Sequence, residues 1–412
     1  MTRRPHVAIV GSGIAGLGAA RALAGRCDVT IFEAAPRAGG HVYTVGADGH
    51  AIDMGFIVCN RERYPHFMRL LGALGIATRP TTMAFSVSLP GDDFEWGSAS
   101  LSAMFADRRR VIDPRHWRFL VEVVRFLARA RRDLTSGRVA GCLDDYVPAG
   151  ELRDRFVIPL AAALWSLAPD HCGAFPAVTY LRFLEQHGML DALRPLAWHV
   201  VDGGSTRYVE ALVAALAATG RCTLRLATPV ARIARDRDGV TIVAGGGEQR
   251  FDRVVIATHA DTALALLDEP TADERRVLGA IRYSTNRTVL HTDRTFLPRR
   301  PAAHAAWNYV ADPDTARVAV TYSMTRLQGL PDRPYLVTLN PRREPAGMIH
   351  DVTFTHPQLD RGALAAQAEL PRLAGTARTY HAGAYFGFGF HEDGLRAGLA
   401  AAARALADEA LA

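Results

Sequence analysis

The sequence predicts an α/β protein in which a discontinuous, Rossmann-like nucleotide-binding domain is joined to a second domain of mixed α+β structure. Residues 6–34 read as a strand, a glycine-rich turn, a helix rich in alanine and leucine, and a second strand. A second glycine-rich stretch at 381–406 leads into a final helix. The length of 412 residues allows two units with sizeable cores, and 49% apolar and 22% charged residues are ordinary for a globular protein.

The first strand and the turn after it form a dinucleotide-binding pattern. Residues 7–10 are a short β-branched run, typical of a buried parallel strand. Gly11, Gly13 and Gly16 follow with G-x-G-x-x-G spacing, ahead of a helix predicted over about 14–25. In this pattern the first glycine makes a tight turn, the second lets the backbone approach a pyrophosphate, and the third allows close helix–strand packing. The helix N terminus adds free N–H groups and a positive dipole end.

The residues after the second strand favour FAD among the dinucleotides. Glu33 ends that strand and is suited to a ribose diol, which fits NAD or FAD and disfavours NADP. Arg37 and the doublet Gly39-Gly40 offer a second backbone approach, as the longer FAD molecule requires. Near the C terminus a helix predicted to begin near Gly394, with acids at its start, could aim its dipole at the flavin pyrimidine ring. Because no cysteine or histidine falls in an attachment pattern, we expect non-covalent FAD.

These residues resemble the FAD-dependent amine oxidase and carotenoid desaturase superfamily, which shares the G-x-G-x-x-G, the R-x-G-G and the closing glycine-rich helix. The chain is more closely similar to predicted NAD/FAD-binding oxidoreductases of bacteria whose genes often neighbour cyclopropane-fatty-acid synthases, and similar domains are fused to plant versions of those synthases. This closer resemblance extends along nearly the whole chain. It is carried by 53–76 (DMGFIVCNRERYPHFMRLLGALGI), 175–190, 199–216, 290–300, 305–310, 321–330, 337–341 and 389–398 (GFGFHEDGLRAG).

The resemblance implies cofactor contacts all along the FAD molecule. By this resemblance, the diphosphate is lined by Gly11, Gly13, Ala15 and Gly16. Glu33 binds the adenosine ribose, and backbone groups of Val230 hold the adenine. The residues implied toward the flavin are Arg37, Gly40 and His41, followed by Gly383 and Asp393 at the ribityl and flavin end. The strand ending VVIATHA also brings Thr258 and His259 to a sheet edge near the cofactor.

The predicted domains are interleaved along the chain, with the substrate cavity expected between them and over the flavin. The predicted segments are 1–80, 200–264 and 373–412 for the FAD-binding domain, and 81–199 and 265–372 for the substrate-binding domain. A hairpin is predicted between GVTIV and FDRVVIAT, around the turn at 245–247.

The sequence holds no lysine, so all 48 basic side chains are arginines. Amine-oxidising relatives commonly place a lysine near flavin N5, and here Asn286 or Arg287 falls near that position. This weakens amine oxidation without excluding it. Trp307 and Tyr385 are the candidates for an aromatic pair around an amine.

The candidate catalytic residues are His391, Glu392 and His291, with Asp293 as a further polar anchor. His391 is expected beside the flavin, where it would accept or relay a proton with a pKa near the working pH; the alternative is a loop histidine bonded to backbone. For His291 and Asp293, purely structural roles are favoured over catalytic ones. No H-E-x-x-H and no C-x-x-C pattern occurs, so we expect no metal site and reduced cysteines.

Residues 108–132 mix nine arginines with aromatic and aliphatic residues at helical spacing. This segment fits either a helix lying on an anionic membrane or a surface helix with its apolar stripe on the core. Nucleic acid is disfavoured because no binding motif accompanies the arginines. With no secretory signal and no membrane-spanning run in the sequence, we expect a cytoplasmic protein, with membrane association left open.

Together these features predict an FAD-dependent oxidoreductase that takes a hydride from a hydrophobic substrate. By resemblance, the substrate is a fatty acyl chain, in some cases already modified, and the reaction is a dehydrogenation or a double-bond rearrangement. One alternative is a flavin amine oxidase acting on a small amine. The other is a non-catalytic, flavin-bearing accessory protein that partners a lipid-modifying synthase.

Overall fold

A computed structural model describes residues 3–165, 169–191, 196–311, 318–331 and 333–408. In chain order its strands are β1 (His6–Val10), β2 (Asp28–Phe32), β3 (Thr44–Ala47), β4 (His50–Asp53), β5 (Val58–Asn60), β6 (Thr78–Thr81), β7 (Phe85–Leu89), β8 (Phe94–Gly97), β9 (Trp198–Val201), β10 (Cys222–Arg225), β11 (Val230–Arg235), β12 (Val240–Ala244), β13 (Gly247–Phe251), β14 (Arg253–Ile256), β15 (Arg282–His291), β16 (Trp307–Ala311), β17 (Val318–Ser323), β18 (Leu336–Leu339), β19 (Met348–Gln358) and β20 (Thr379–His381). Its α-helices are α1 (Ile14–Leu23), α2 (Pro65–Ala73), α3 (Leu101–Met104), α4 (Pro114–Thr135), α5 (Leu143–Tyr146), α6 (Ile158–Trp165), α7 (Pro169–Cys172), α8 (Ala177–Gln186), α9 (Thr206–Ala217), α10 (Ala260–Leu266), α11 (Ala272–Gly279), α12 (Met324–Leu327), α13 (Arg361–Glu369) and α14 (His391–Ala407).

A five-stranded parallel sheet forms the centre of the first unit, in the order β10-β2-β1-β14-β20. Its strands come from three separate parts of the chain, as the discontinuous Rossmann-like prediction requires. The central strands β1 and β14 are buried along their whole lengths apart from His6. Since the carboxyl ends of parallel strands meet at one edge, the residues after β1, β2, β14 and β20 converge there.

Helix α14 packs directly on α1 and closes the parallel sheet from one side. The two helices approach closely because glycine replaces larger side chains at the crossing: a methyl group at Gly398 would collide with the Ala15 carbonyl oxygen, and one at Gly18 would lie 2.5 Å from the Leu395 side chain. The C-terminal helix is therefore part of the nucleotide-binding unit.

The other face of the sheet is covered by helices that the sequence assigns to the substrate domain. Leu267, Val277 and Leu370 are buried in one cluster with Val10 and Ile256 of the sheet. The predicted boundaries at 264/265 and 372/373 therefore do not coincide with the packing, because α11 and α13 bury their apolar faces on the parallel sheet. The boundary at 199/200 falls inside β9.

The predicted hairpin has a different second strand. Strand β12 pairs antiparallel with β13 across a tight turn in which Gly245 and Gly246 have positive φ. The next strand, β14, leaves the hairpin and pairs in parallel with β1. The run FDRVVIAT is therefore divided between two sheets at Asp252.

The second unit contains a seven-stranded mixed sheet in the order β19-β15-β18-β17-β16-β7-β8, with α4, α6 and α8 contributing to its helical core. Helix α4 has one buried face, formed by His116, Phe119, Phe126, Leu127 and Ala130. Within the described ranges, no helix is long and apolar enough to cross a membrane.

Candidate cofactor and substrate site

The loop between β1 and α1 has the geometry of a phosphate cradle. Gly11 has φ +99°, and a Cβ atom there would lie 2.8 Å from the Ala257 carbonyl oxygen. A methyl group at Gly16 would collide with the Gly11 carbonyl oxygen, so both positions require glycine. By contrast, a Cβ atom at Gly13 would have no atom within 4 Å.

The N terminus of α1 also lacks a side-chain cap. Its first N–H groups therefore face an open groove beside Gly13, which suits an anionic diphosphate. Ala15 lies in this first turn and packs through its backbone against Gly398. The residues present thus fit the cofactor that the sequence predicts.

Glu33 lies at the end of β2 and is hydrogen-bonded to the same loop. Its carboxylate accepts from the Ser12 N–H at 2.8 Å, the Ser12 hydroxyl at 2.6 Å and the Ala35 N–H at 2.9 Å. These bonds fix the carboxylate at the edge of the groove, and its contact with a ribose stays a prediction.

The second glycine loop packs on the first. The Gly39 N–H donates to the Ser12 carbonyl oxygen at 3.0 Å, and a Cβ atom at Gly40, which has φ +58°, would lie 3.1 Å from the Gly13 Cα. Arg37 donates to the carbonyl oxygens of Val42 and Gly40, both at 2.8 Å. Burial lowers the pKa of Arg37 from its usual value. Arg37 therefore shapes this loop, and a direct contact with the cofactor stays a prediction.

Val230 begins β11, close to the strand end that carries Glu33. Two residues before it, the Thr228 N–H donates to the Glu33 carbonyl oxygen at 2.8 Å, and the Ala227 N–H donates to the Ala35 carbonyl oxygen at 2.9 Å. The backbone of Val230 is thus held near the ribose end of the groove. Its predicted contact with adenine is not tested by this arrangement.

Three histidines meet where the two units join, and we call His41, His259 and His356 the histidine cluster. The imidazole centroids of His259 and His356 each lie 5.6 Å from that of His41. Burial lowers the pKa of His41 to about 3 and that of His356 to about 4, and it also lowers the pKa of His259. The cluster is therefore uncharged at neutral pH.

The hydrogen bonds of His41 fix its tautomer. Its Nε2 lies 3.0 Å from the Thr355 carbonyl oxygen. Because a carbonyl oxygen only accepts, Nε2 carries the proton and Nδ1 of the neutral ring keeps its lone pair. His41 therefore offers an acceptor nitrogen directly after the second glycine loop.

A chain of amides fixes the same Nε2–H tautomer for His356, but it engages Nδ1 and leaves the donor nitrogen free. The Arg287 N–H donates to Asn340 Oδ1 at 3.1 Å, Asn340 Nδ2 donates to Asn286 Oδ1 at 2.8 Å, and Asn286 Nδ2 donates to His356 Nδ1 at 2.8 Å. Because the backbone N–H sets the direction, each amide in turn has one orientation. His356 Nε2 therefore carries the proton and is a hydrogen-bond donor. We call Asn340, Asn286 and His356 the amide relay.

The structure separates Asn286 from Arg287, the two residues predicted near the lysine position of amine-oxidising relatives. Asn286 is 1% exposed and belongs to the amide relay. Arg287 points outward and pairs with Glu344 and Asp351. Only Asn286 therefore faces the seam between the units.

His391 lies at the first position of α14, but its environment is less basic than the sequence suggests. Its ring stacks on Phe56 with a centroid separation of 3.8 Å, and its Nε2 lies 2.8 Å from the Tyr208 hydroxyl. Burial lowers the pKa of His391 to about 3 and raises that of Tyr208 well above its usual value. The expectation of a pKa near the working pH is therefore wrong, and a role for His391 as proton acceptor stays untested and disfavoured.

Glu392 joins two helices. One carboxylate oxygen accepts from the His66 N–H at 2.9 Å and contacts His66 Nδ1 at 2.7 Å, and the other accepts from the Phe67 N–H at 3.0 Å. These N–H groups belong to the first turn of α2, so Glu392 caps that helix. Both carboxylate oxygens therefore have a structural role at α2, and the catalytic role of Glu392 stays a prediction.

Asp393 holds the loop that leads into its own helix. Its Oδ2 accepts from the Phe388 N–H at 2.9 Å and the Phe390 N–H at 3.2 Å, while Oδ1 accepts from Arg396 at 3.0 Å. Asp393 therefore positions this loop, and its place at the flavin end of the cofactor stays a prediction. Gly383 lies at the edge of the parallel sheet, where a Cβ atom would approach the Thr258 carbonyl oxygen to 3.4 Å.

His291 and Asp293 lie at the other end of β15 from the histidine cluster. His291 contacts the Thr338 hydroxyl at 2.7 Å through Nε2 and accepts from the Asp293 N–H at 3.1 Å. His356 pairs with Ser284, seven residues earlier on β15, which at about 3.4 Å per residue is roughly 24 Å away. The ring of His291 thus lies inside the second sheet, away from the histidine cluster, and a catalytic role for it stays a prediction.

The aromatic residues are arranged differently from the predicted pair. Trp307 lies parallel to Tyr322 at 6.1 Å between ring centroids, whereas Tyr385 packs against Phe386 at 5.1 Å. Near α14, an apolar wall is formed by Phe183, Phe388 and Phe390, with Phe390 stacked on Phe183 at 4.8 Å. An aromatic wall therefore lies beside the C-terminal loop, next to the Asp393 carboxylate that holds it.

Sequence reasoning missed His356 and Tyr208. Neither belongs to a local motif, and each matters through a partner more than 40 residues away in the chain. The one available signal is the unusual alternation of histidine and threonine along β19, in MIHDVTFTHPQ. Among the described residues, no group of three or more His, Cys, Asp or Glu side chains is arranged to hold a metal ion.

Comparisons with known proteins agree with the fold. A cyclohexylamine oxidase from Brevibacterium oxydans superposes with a TM-score of 0.71 and 18% identity over 99% of this chain and 100% of that one. A fatty acid isomerase from P. acnes that produces CLA superposes with a TM-score of 0.70 and 18% identity over 98% and 99% of the two chains. At these identities the likeness establishes the fold alone.

Sequence comparison establishes the family. Polyamine oxidase 5 of Oryza sativa subsp. japonica is 42% identical over 73 residues, which span 16% of this chain and 15% of the rice protein. The family model for flavin-containing amine oxidoreductases matches residues 14–353, which is most of the chain. The chain therefore belongs to the flavin-containing amine oxidoreductase family and is an FAD-dependent oxidoreductase.

Proposed function

We propose that this oxidoreductase acts on a hydrophobic substrate, a fatty acyl chain, by dehydrogenation or by moving a double bond. Bound FAD supplies the two-electron acceptor that receives a hydride from the substrate carbon. The protein's own part is to bind the chain, exclude water and handle the proton that accompanies the hydride.

The observation that carries the proposal is the aromatic wall beside α14 together with the neutral histidines at the seam, among the residues that the structure describes. Burial keeps His41, His356 and His391 neutral at pH 7. The wall beside them is built from Phe183, Phe388 and Phe390. Neutral and aromatic surroundings favour an uncharged hydrocarbon over a polar or charged substrate.

His41 and His356 have the same tautomer but different free ring nitrogens, Nδ1 in His41 and Nε2 in His356, which gives them different tasks. His41 Nδ1 has a lone pair and would accept a hydrogen bond from a water molecule or a polar group of the substrate; its pKa, lowered to about 3 like that of His391, disfavours it as a base. His356 Nε2 is a donor and would hold a water molecule or a polar group of the substrate. The amide relay keeps His356 in that state, which makes Asn286 a positioning residue.

Support from relatives is divided. The P. acnes structure carries the name of a fatty acid isomerase, which favours the acyl chain. The cyclohexylamine oxidase and the rice polyamine oxidase favour the second candidate, oxidation of a small amine. The missing lysine and the neutral apolar seam weigh toward the first candidate.

The test is anaerobic spectroscopy of the FAD-loaded protein with phospholipids, free fatty acids and small amines added in turn. Loss of the visible flavin absorbance on adding an acyl lipid supports dehydrogenation. A moved double bond, detected by gas chromatography–mass spectrometry without net loss of absorbance, supports rearrangement.

Two results would overturn the proposal. Loss of absorbance with amines alone would identify an amine oxidase. No reaction with any compound, together with co-purification of a lipid-modifying synthase, would identify an accessory protein. Protein stripped of FAD is the control for both readouts.

A further inference from the structure

One surface of the second unit concentrates most of the strongly exposed large apolar side chains. Among the described residues there are eight of these, and six lie between positions 101 and 124. We call this set the 101–124 patch. It consists of Leu101, Val111, Ile112, Trp117, Val121 and Val124, with Ile112 at 88% exposure and Leu101 at 76%.

The patch is one continuous and ordered surface. The Trp117 indole N–H donates to the Val111 carbonyl oxygen at 2.8 Å, which ties α4 to the preceding 3-10 turn Arg108–Ile112. Arg108 donates to the Ser102 hydroxyl at 2.9 Å, which ties that turn to α3. The apolar side chains are therefore presented on a fixed framework.

Helix α4 is apolar on two separate faces. At about 100° per residue, Trp117, Val121 and Val124 lie within roughly 60° of one another. The centre of that arc is about 140° from the centre of the buried face. The buried face already anchors α4 to the protein core, so the exposed face contributes nothing to that core.

Arginines line the exposed apolar face. Arg118, Arg125 and Arg132 are exposed, and spacing of seven residues places them along one side of the helix. Within the described ranges, none of them has a carboxylate within 4 Å. Nearby Arg109 differs, since it pairs with Asp93 and Asp107. These three guanidinium groups are therefore exposed and have no carboxylate partner within the described ranges.

We propose that the 101–124 patch docks the protein on an anionic lipid surface, with the apolar side chains entering the interface and the arginines meeting lipid phosphates. A helix of 22 residues extends about 33 Å, and its straight row of cations matches a flat array of phosphates. The indole of tryptophan and the aliphatic part of the arginine side chain are suited to the boundary between water and hydrocarbon. The proposal does not depend on the substrate class proposed above.

The test is flotation of the FAD-loaded protein with vesicles of phosphatidylcholine, with or without phosphatidylglycerol. We expect binding that requires phosphatidylglycerol and weakens as salt is raised. The double variant Arg118→Gln/Arg125→Gln should lower partitioning roughly 10- to 30-fold. Ile112→Ser/Val124→Ser should lower it at least about tenfold.

Two control variants remove exposed apolar side chains and exposed arginines outside the 101–124 patch. Leu226→Ser/Met348→Ser deletes the two other exposed apolar side chains, and Arg21→Gln/Arg26→Gln deletes two exposed arginines of the nucleotide-binding unit. All variants should keep the wild-type flavin spectrum and unfolding temperature, and the controls should bind vesicles normally.

Three results would overturn the proposal. They are no binding of wild-type protein to either vesicle, equal loss in the control and patch variants, or patch variants that bind vesicles normally but lose self-association. The last result would identify the patch as a protein interface.

Discussion

Helices α1 and α14 pack against each other and both begin with a glycine-rich loop at the seam, yet their N termini are used differently. The N terminus of α1 has no side-chain cap and opens onto empty space beside Gly13. The N terminus of α14 likewise has no side chain that caps its first N–H groups, but Asp393 holds the preceding loop by accepting the Phe388 and Phe390 N–H groups, and His391 is buried against Phe56 and Tyr208. The two glycine-rich helix entries therefore differ in their surroundings: open space lies beside Gly13, whereas packed side chains enclose His391.

The largest effect should come from filling the α1 loop. Gly16→Ala places a methyl group against the Gly11 carbonyl oxygen, which cannot move without opening the loop. We expect loss of more than about 3 kcal/mol of unfolding free energy, together with loss of bound FAD. Urea unfolding and flavin content measure both.

Gly72→Ala is the control for this variant, since a Cβ atom there meets nothing within 4 Å and the residue lies inside α2. It should be neutral or stabilising by about 0.5–1 kcal/mol. Equal stability of the two alanine variants would contradict the close packing described for the loop.

The second prediction concerns how the free energy of unfolding depends on pH through His391, at the N terminus of α14. The pKa of His391 is lowered to about 3 in the folded protein, against about 6.5 when unfolded. Its contribution to stability is present above pH 6.5 and is lost as pH falls toward 3, because the unfolded chain binds the proton more tightly. At pH 5 the loss attributable to this group is about 2 kcal/mol.

The measurement is urea unfolding between pH 7 and pH 5 for wild type and His391→Gln. The variant should lose less stability over this range than wild type, whatever its absolute stability at pH 7. Parallel curves for the two proteins would show that His391 is not held in its neutral form by burial.

The third prediction tests whether Glu392 is structural or catalytic. Glu392→Ala removes the acceptor for the His66 and Phe67 N–H groups, and should cost about 1–2 kcal/mol of unfolding free energy. The pH profile of kcat should keep its shape. A full-stability variant with a changed pH profile would restore the catalytic role that the sequence predicts.

The nucleotide-binding unit could be predicted from the sequence because its chemistry is local. Gly11, Gly13 and Gly16 act within one turn, and Glu33 follows on the adjacent strand. The histidine cluster could not be predicted as a group, because His41 and His356 come together only where two sheets meet. The hydrogen-bond partners of Glu392 and Asp393 at the start of α14 could not be predicted for the same reason. They lie in α2 and in the preceding loop, and tertiary packing brings them together.

The smallest effect should come from the amide relay. Asn286→Leu keeps the side-chain volume but frees His356 Nδ1, so the donor state of Nε2 is no longer fixed. We expect kcat to fall about tenfold with KM little changed. Arg287→Gln, at the adjacent outward-facing position, is the control, and equal kcat values in the two variants would exclude a positioning role for Asn286.

The most direct test of the cofactor cradle is FAD titration of Gly13→Val by fluorescence quenching, with thermal unfolding of the FAD-free protein measured in parallel. Because the space beside Gly13 is empty and its φ is −66°, the FAD-free variant should unfold at the wild-type temperature. Its affinity for FAD should fall at least about tenfold, since one charge-assisted hydrogen bond contributes about 1.5–3 kcal/mol. Wild-type affinity in a normally folded variant would contradict the assignment of this groove to the diphosphate.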